Sequence, residues 1–364
     1  MKRKLTTSIL FLALTSLLVA GCSDKKTEKS TDTKQEKLVK EPYSERQFLM
    51  GTYVQVKIYN KGKEDVLKKA FDRIGVLDRE ITVNEKGSEV DDINEQAGIK
   101  PVKVSSDVYE LIKSALNYTK DSNGGFDLAI GPITQLWHIG FDDARKPEQS
   151  EINQELKKVD YKKVILNDKE QTVYLEEKGM SLDLGAIAKG YITDEVVDVL
   201  KENGVTSAIV DLGGNVYVLG DNPKSESGNW KVGIQDPNEA RNTVVGTVEE
   251  KNKSLVTSGI YERYLKVGDD VYHHLFNSKT GYPFDNDIAG VTIVSDTSIA
   301  GDALSTAVFS KGVKEGMDYV DSLDGVDAIF ITKEDDIYIS KGLQGNFKLN
   351  EDSPYKVKDI KELK

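Results

Sequence analysis

The feature that most constrains the fold is the number of short strand-like segments that are joined by tight turns. Residues 51–59 alternate apolar and polar side chains, as a half-buried strand does. Residues 207–212 and 216–219 form two such segments on either side of the sequence Gly-Gly-Asn at 213–215. Paired glycines between two strands are typical of a hairpin turn, so we assign this turn a structural role and no chemistry.

The same periodicities predict further strands and a smaller number of helices. Further strands are predicted at 163–166, 172–175, 180–182, 230–234, 244–248, 261–267, 272–276, 290–294, 328–332 and 337–340. Helices are predicted at 66–77, 108–118, 186–203, 299–309 and 313–321, and an exposed loop with a short helical turn at 82–97. Strands and helices do not alternate regularly, as they would in a Rossmann domain. The pattern therefore predicts an α+β fold of mixed, largely antiparallel sheets with packed helices.

The N-terminal segment has the features of a lipoprotein signal. Basic residues at 2–4 precede an apolar run at 9–19, which is too short for an ordinary membrane-spanning helix. Small residues then lead to Cys22, the only cysteine. We predict a signal peptide at 1–21 and lipid attachment to Cys22, which would anchor the protein to the extracytoplasmic face of the cell membrane. The alternative is a soluble secreted protein in which this cysteine occurs by chance.

Composition divides the rest of the chain into three parts. Residues 22–43 are mostly polar and are predicted to be a disordered tether. Apolar periodicity predicts a folded domain at 44–350, followed by a polar tail at 351–364. The formal net charge of −12 argues against nucleic acid as a partner and against broad docking on anionic lipid. A polyanionic substrate would therefore need a divalent cation.

A glycine-rich segment at 183–190 follows a predicted strand and leads into a predicted helix. The N–H groups at the start of that helix, together with the ammonium group of Lys189, favour an anion such as a phosphate. The alternative is an aspartate-capped helix that packs closely on a sheet through Gly185 and Ala186, with Lys189 in solvent.

One carboxylate and one hydroxyl in the predicted helix at 299–309 are candidates for binding a metal ion. Asp302 and Thr306 are four positions apart, so they face the same side of the helix and offer oxygen ligands to a hard cation. This ligand set is sparse, and backbone, phosphate or water oxygens would complete it, which suits Mg²⁺ bound with its substrate. The alternative is an ordinary polar helix face.

Two of the three histidines are adjacent in a predicted strand. His273 and His274 would point to opposite faces of that strand, so at most one of them enters a given site. A histidine near a metal–phosphate site can act as a general base at neutral pH. The alternative is a surface histidine or a hydrogen-bonded core histidine.

Several segments together resemble the ApbE family in their order and spacing. They are 48–52, 88–94, 125–132, 183–194, 211–215, 257–261, 274–283 and 300–306. The family consists of FAD:protein FMN transferases, and the resemblance covers about residues 44–345. It implies a mixed α/β fold with FAD in a cleft and Mg²⁺ at the pyrophosphate.

The resemblance also implies roles for particular residues. The positions expected to contact FAD are Met50, Phe126, Asp127, Leu128, Asp183 and Lys189, and we include His273 with them. The expected metal ligands are Asp302, Thr306 and the carbonyl group of Ala186, and the expected base is His274.

The chain departs from the family pattern in two places. Residues 274–278 read His-Leu-Phe-Asn-Ser where the family usually has His-Ile-Ile-Asp-Pro, so a charge and a rigid turn beside His274 are lost. Many relatives have an aromatic residue where this chain has Asn84. An amide can ligate a cation or hold a water molecule, so we also expect Asn84 at the FAD site.

These observations and the resemblance together predict an enzyme that transfers FMN from FAD to a Ser or Thr hydroxyl of an acceptor protein, with Mg²⁺ and with release of AMP. The resemblance implies an acceptor threonine in a Ser/Thr-Gly-Ala-Ser/Thr-like segment of a membrane-associated redox protein. Two alternatives stay open. One is hydrolysis of FAD to FMN and AMP, and the other is a flavin-binding lipoprotein without catalysis.

Overall fold

The computed structural model describes residues 37–83, 86–241 and 243–363, and it confirms the predicted α+β class. The strands are β1 (Leu38–Leu49), β2 (Thr52–Asn60), β3 (Val102–Lys103), β4 (Val164–Asn167), β5 (Thr172–Leu175), β6 (Ala208–Leu212), β7 (Asn215–Leu219), β8 (Trp230–Gln235), β9 (Val244–Glu250), β10 (Lys253–Gly259), β11 (Tyr264–Val267), β12 (Asp270–His273), β13 (Ile288–Ser295), β14 (Asp327–Thr332), β15 (Asp336–Ile339), β16 (Lys348–Leu349) and β17 (Lys356–Val357). The helices are α1 (Asp65–Ile81), α2 (Glu89–Glu95), α3 (Ser106–Asp121), α4 (Gly131–Trp137), α5 (Gln149–Glu155), α6 (Ala188–Glu202), α7 (Ser298–Phe309) and α8 (Gly312–Asp321). Within this part of the chain, no helix combines the length and the apolar character needed to cross a membrane.

A nine-stranded sheet in the order β1-β2-β6-β7-β10-β13-β14-β15-β17 forms the centre of the fold. Its neighbouring strands are antiparallel except for the parallel pair of β15 and β17. Three smaller sheets contain β11 with β12, β16 with β9 and β8, and β3 with β5 and β4. The predicted hairpin at the glycine pair is confirmed as β6–β7, in which Leu212 pairs with Asn215.

The helices that position the candidate site are held by an apolar core. In α1, Val66, Ala70, Ile74 and Leu77 recur at helical spacing and are almost fully buried, as the sequence predicts. Helix α7 packs on β10, on β13 and on α6. All residues of β13 are buried, because α7 covers one face of the sheet there and a second apolar cluster covers the other. Helix α7 is therefore fixed against the centre of the sheet.

The folded domain begins earlier than the predicted boundary at residue 44. Strand β1 starts at Leu38, and Tyr43 pairs with Ile58 of β2 and packs against the core. The prediction of disorder is wrong for residues 38–43, because their polar side chains belong to an edge strand with an exposed face. The predicted signal peptide and Cys22 lie outside the described residues.

The C-terminal segment, predicted as a polar tail at 351–364, packs on the rest of the domain over its described residues 351–363. Tyr355 is buried, and its hydroxyl group donates a 2.6 Å hydrogen bond to the Oδ1 atom of Asp236. Strand β17 then joins the central sheet, and Ile360 and Leu363 pack against an apolar cluster. A few apolar side chains thus anchor a segment whose composition is polar.

One local prediction near the candidate site is wrong and another is wrong in part. The predicted strand that ends at Leu182 is absent, and the side-chain amide of Asn94 instead binds the backbone N–H and C=O of Leu182 at 2.7 and 3.2 Å. The short helical turn predicted within 82–97 is confirmed as α2, but it is not exposed, because Val90 and Ile93 are buried. Helix α2 therefore belongs to the core. Its residue Asn94 makes the hydrogen bonds to Leu182 that a neighbouring strand would otherwise make.

Candidate active site

Two hairpin turns lie side by side at one end of the central sheet. Met50 and Gly51 form the β1–β2 turn with φ values of 53° and 69°, as a two-residue type I′ turn requires. Because β2 pairs with β6, this turn lies beside the β6–β7 turn. A Cβ atom added to Gly213 would lie 2.1 Å from the Oγ1 atom of Thr52, so only glycine permits this contact. Met50, an expected FAD contact, is thereby fixed beside the second turn.

The ammonium group of Lys189 is bound at this pair of turns. Lys189 lies in the first turn of α6 and donates a 2.7 Å hydrogen bond to the Oδ1 atom of Asn215. Because Lys189 is half-buried and bonded, the alternative that leaves it in solvent is wrong. In the described chain, the buried Nδ2 atom of Asn215 and the buried Oγ1 atom of Thr52 have no hydrogen-bond partner. Such atoms are rare and mark places that a ligand or a water molecule can complete.

Asp183 attaches the segment before α6 to the residues around Leu128. The N–H group of Asp183 donates to the carbonyl oxygen of Leu128 at 2.9 Å. Its Oδ1 atom accepts a 2.8 Å hydrogen bond from the N–H group of Gly185 and shapes the glycine-rich turn. Two segments expected to contact FAD, far apart in the sequence, are therefore adjacent.

Of the three residues expected to contact FAD at 126–128, only Asp127 has a side chain outside the apolar core. Phe126 and Leu128 are 2% and 0% exposed, so any contact that they make with FAD is restricted to their backbone. Asp127 accepts a 2.9 Å hydrogen bond from the N–H group of Ala129. Burial raises the pKa of Asp127 to about 6, and hydrogen bonds from Ala129 and Ser278 oppose this rise.

Helices α6 and α7 are bound to each other by two carboxylates. Asp302 on α7 accepts a 2.8 Å hydrogen bond from the N–H group of Gly190 on α6. Asp194 on α6 accepts hydrogen bonds of 2.7 and 2.8 Å from the N–H groups of Ser298 and Ile299 at the start of α7. Burial raises the pKa of Asp194 to about 6, and these two N–H groups oppose the rise. Each helix therefore supplies a cap to the other.

The carbonyl group of Ala186, at the expected metal site, lies just before α6. Ile187, which precedes the first residue of the helix, has a non-helical backbone, so Ala186 is outside the helix and its carbonyl group has no hydrogen bond within the described residues. The N–H group of Gly190 lies in the first turn of α6, where N–H groups have no partner within the helix, and it binds Asp302. Thr306 follows Asp302 by four positions on the buried side of α7 and is half-buried.

These three groups offer one carbonyl, one carboxylate and one hydroxyl oxygen. Such an all-oxygen set fits a hard cation such as Mg²⁺, provided that a substrate or water molecules supply further oxygens. No cluster of three or more His, Cys, Asp or Glu side chains that could hold a metal ion occurs in residues 37–83, 86–241 and 243–363. The residues therefore fit a cation that binds together with an anionic ligand.

The backbone of Arg263 fixes the ring of His274. The backbone N and the ring Nδ1 atom of His274 both lie 3.2 Å from the carbonyl oxygen of Arg263. Because a carbonyl group accepts hydrogen bonds, Nδ1 carries the proton and Nε2 keeps its lone pair in the neutral ring. Burial, and then the positive charge of Arg263, lower the pKa of His274 to about 3, so the ring is neutral at pH 7.

The side chain of Arg263 connects His274 with the β1–β2 turn. A Cβ atom added to Gly51 would lie 3.9 Å from the Nη2 atom of Arg263, and one added to Gly140 would lie 2.9 Å from its Cδ atom. The charge of Lys189 also lowers the pKa of His274. Two cations therefore lower the pKa of the same histidine.

His273 lies in the core, where both of its ring nitrogens have partners within the protein. Its Nε2 atom donates a 2.9 Å hydrogen bond to the carbonyl oxygen of Phe284, and its Nδ1 atom accepts one from the N–H group of Leu275 at 3.2 Å. Its ring packs edge-on against Phe309 with centroids 5.6 Å apart. Both ring nitrogens are therefore already bonded within the protein, and the expected contact of His273 with FAD stays a prediction. Burial lowers its pKa to about 4 and keeps it neutral.

Two residues of this site, Asn215 and Arg263, are not predicted from the sequence. The sequence assigns Asn215 only to a hairpin turn, and Arg263 belongs to no motif that we identified. A local pattern does not identify Asn215, because its partner Lys189 is 26 positions away. Asn84 lies outside the described residues, so its expected role stays a prediction.

Comparison with known sequences defines the class of protein to which this fold and site belong. The sequence profile of the ApbE family matches residues 50–330. The chain belongs to the ApbE family, and the resemblance drawn from its motifs is confirmed.

Individual relatives share most of their length with this chain. A FAD:protein FMN transferase from Klebsiella pneumoniae (strain 342) is 38% identical over 298 residues, which cover 82% of this chain and 92% of the relative. A FAD:protein FMN transferase from Treponema pallidum (strain Nichols) is 34% identical over 316 residues, with coverage of 83% and 87%.

Solved structures show the same fold. The crystal structure of the ApbE protein from Thermotoga maritima MSB8 aligns with a TM-score of 0.77 at 28% identity, and covers 84% of this chain and 99% of that chain. The apo form of the Pseudomonas stutzeri flavinyl transferase ApbE aligns with a TM-score of 0.74 at 25% identity, with coverage of 86% and 98%.

Proposed function

We propose that this chain is a FAD:protein FMN transferase that moves FMN from FAD to a Ser or Thr hydroxyl of an acceptor protein and releases AMP. The observation that carries the proposal is the start of α6. There the ammonium group of Lys189 binds Asn215, the carbonyl group of Ala186 has no hydrogen bond within the described residues, and the N–H group of Gly190 binds the carboxylate of Asp302. A diphosphate with its metal ion is the ligand that this combination favours. The names of the relatives support a flavin as the rest of that ligand.

Different residues of the site would bind different parts of the substrate complex. Lys189 would bind the diphosphate, and Ala186, Asp302 and Thr306 would bind Mg²⁺. When bound, Mg²⁺ neutralises charge on the phosphate oxygens and makes AMP a better leaving group. Met50 and the carboxylates of Asp127 and Asp183 are proposed to contact the rest of the FAD molecule.

The proposed reaction is an in-line displacement at phosphorus. The acceptor hydroxyl oxygen forms a bond to the phosphorus of the FMN phosphate, and the bond from that phosphorus to the oxygen that bridges to AMP breaks. The Nε2 atom of His274 takes the hydroxyl proton, since Nδ1 already donates to the carbonyl oxygen of Arg263. AMP leaves with the bridging oxygen.

Substrate binding is expected to strengthen His274 as a base. With a pKa of about 3, the ring alone is a weak proton acceptor. The negative charges of the diphosphate offset the positive charges of Arg263 and Lys189, and so raise the pKa of His274 towards neutrality. Proton removal from an acceptor is thereby favoured when FAD is in place.

We also propose that Cys22 carries lipid and anchors the protein to the extracytoplasmic face of the cell membrane. The basic start, the short apolar run and the small residues before this cysteine support the proposal. A membrane-associated redox protein is the corresponding acceptor. The test is metabolic labelling with a palmitate analogue, in which a Cys22→Ala variant must lose the label and membrane association.

The enzymatic proposal is tested with the purified protein, FAD and Mg²⁺. The probe is a carrier protein with a Ser-Gly-Ala-Thr segment, and the control carrier has alanine in place of that threonine and of that serine. Flavin fluorescence in denaturing gels measures covalent transfer, and chromatography measures AMP. We expect covalent flavin only on the hydroxyl-bearing carrier.

The same experiment separates the other two functions. AMP release without covalent flavin on either carrier would identify a FAD hydrolase. FAD binding without AMP release would identify a flavin-binding protein, and both outcomes would contradict the proposed transferase.

A further inference from the structure

The β6–β7 turn is built to place one buried asparagine. The carboxylate of Asp211 accepts a 3.0 Å hydrogen bond from the N–H group of Gly214. Gly213 and Gly214 have φ values of 64° and 104°, which residues with a Cβ atom rarely adopt. Thr52 packs on Gly213 from the neighbouring turn. These constraints fix Asn215, the first residue of β7, in the sheet.

The two polar groups of Asn215 have different environments. The Oδ1 atom accepts the 2.7 Å hydrogen bond from the Nζ atom of Lys189. The Nδ2 atom is buried without a partner in the described chain, although the residue is only 1% exposed. An asparagine that served only the turn would be expected to have both polar groups bonded. The bond to Lys189 is therefore the contact that accounts for an asparagine here.

A hydrogen bond that holds a lysine side chain in place can increase its affinity for an anion. Its ammonium group is a point charge on a flexible four-carbon stem, so it loses conformational freedom when it binds an anion. A bond to a rigid strand residue removes part of that freedom before the anion arrives. Pre-organisation of this kind raises affinity without any new contact to the ligand.

We propose that Asn215 is a positioning residue for flavin transfer, which holds the ammonium group of Lys189 where it meets the diphosphate of FAD. This inference rests on the proposed function and assigns a role in it to the β6–β7 turn. Asn215 acts through Lys189, so its effect on FAD must depend on the presence of that lysine.

The test is a double-mutant cycle on FAD affinity. Asn215→Leu removes both polar groups at similar volume, and Lys189→Met removes the charge but keeps the stem. Flavin fluorescence quenching measures the Kd of FAD with Mg²⁺ and without an acceptor. We expect Asn215→Leu to weaken FAD binding about 10- to 100-fold when Lys189 is present, because hydrogen bonds to charged groups are among the stronger ones. In the Lys189→Met protein, the same change should weaken binding by less than about threefold.

Asn60→Leu is the matched control for effects on the fold. Asn60 is fully buried at the far end of β2, where its Oδ1 atom accepts hydrogen bonds from the N–H groups of Thr206 and Ser207. Asn60→Leu should lower Tm and leave the Kd of FAD unchanged. Asn215→Leu should instead weaken FAD binding strongly and change Tm only slightly.

The inference is overturned if Asn215→Leu weakens FAD binding equally in both backgrounds, or if it lowers Tm as Asn60→Leu does and leaves the Kd unchanged. Failure of the proposed function has a different signature. In that case the wild-type protein binds FAD but transfers no FMN to the hydroxyl-bearing carrier, while the coupling between Asn215 and Lys189 is still measured by binding.

Discussion

Asp302 on α7 accepts a 2.8 Å hydrogen bond from the backbone N–H group of Gly190 on α6, and this bond joins the two helices. Gly190 lies in the first turn of α6, where N–H groups have no partner within the helix. The contact requires glycine, because a Cβ atom at Gly190 would lie 2.4 Å from the carbonyl oxygen of Ser298. The packing of α6 on α7 and the position of Asp302 at the start of α6 therefore depend on the same contact.

Replacing Asp302 should remove catalysis and preserve the fold. In Asp302→Asn, the amide oxygen can still accept the N–H group of Gly190, but the only carboxylate among the candidate ligands is lost. We expect AMP release to fall about 100-fold or more, since a metal ion supplies several kcal/mol of transition-state stabilisation. Circular dichroism and Tm check that the fold is retained.

Thr306→Ala provides the comparison for this variant. It removes a neutral ligand, so raising the Mg²⁺ concentration should restore more activity to Thr306→Ala than to Asp302→Asn. Wild-type rates in the presence of EDTA would contradict a metal-dependent site.

Asp194 should contribute to stability rather than to ligand binding. Asp194→Ala leaves two N–H groups at the start of α7 without their partner, and we expect a loss of about 1–3 kcal/mol in the free energy of unfolding. The control is Asp198→Ala on the same helix, whose carboxylate is 65% exposed. Urea unfolding measures both variants, and an equal effect of the two would show that the cap contributes nothing.

His274 should affect the chemical step more than the affinity for FAD. His274→Ala removes the proposed base, and general-base catalysis contributes about 10²- to 10⁴-fold to a rate. We expect transfer to slow by about 100-fold or more while the Kd of FAD changes little. Single-turnover kinetics with saturating FAD measure the first quantity, and fluorescence quenching the second. Unchanged turnover, or a complete loss of FAD binding, would contradict this role.

Arg263 should lower the pKa of His274 further than burial alone does. The guanidinium charge disfavours the protonated ring and lowers its pKa, so Arg263→Met should raise that pKa, although burial keeps it below the ordinary value. The sign is testable by NMR, because the chain has three histidines and the signals of His138 and His273 serve as internal references. The acid limb of the rate profile should move to higher pH in the same variant. A pKa that stays the same or falls would show that the charge does not reach the ring.

Local patterns predicted those elements whose side chains follow one clear period. The apolar positions of α1 recur at helical spacing, and the paired glycines of the β6–β7 turn predict that hairpin directly. Strand β1 was missed because an edge strand exposes one face to water, so Glu41, Glu45 and Gln47 give it a polar composition. The C-terminal segment was missed because its composition is polar and only a few apolar side chains, among them Tyr355, Ile360 and Leu363, anchor it.

The sequence predicts which charged and titratable residues belong to the candidate site, but not how they are bonded to one another. Asp302, Lys189 and His274 are suggested by their chemistry and by family resemblance. The bond from Gly190 to Asp302 spans 112 positions, so no local pattern predicts it. His273 and His274 differ by one position in the sequence, yet one ring is sealed in the core by Phe309 and the other keeps Nε2 unbonded within the described residues. Such differences depend on tertiary packing that a local period does not encode.

The most direct test of the account is the ratio of AMP released to flavin covalently attached. Purified protein is incubated with FAD, Mg²⁺ and the hydroxyl-bearing carrier, and both products are measured over the same time course. The account predicts equimolar AMP and carrier-bound FMN, with both products lowered about 100-fold or more by Asp302→Asn and absent in EDTA. Release of AMP in the absence of any carrier-bound flavin would contradict it.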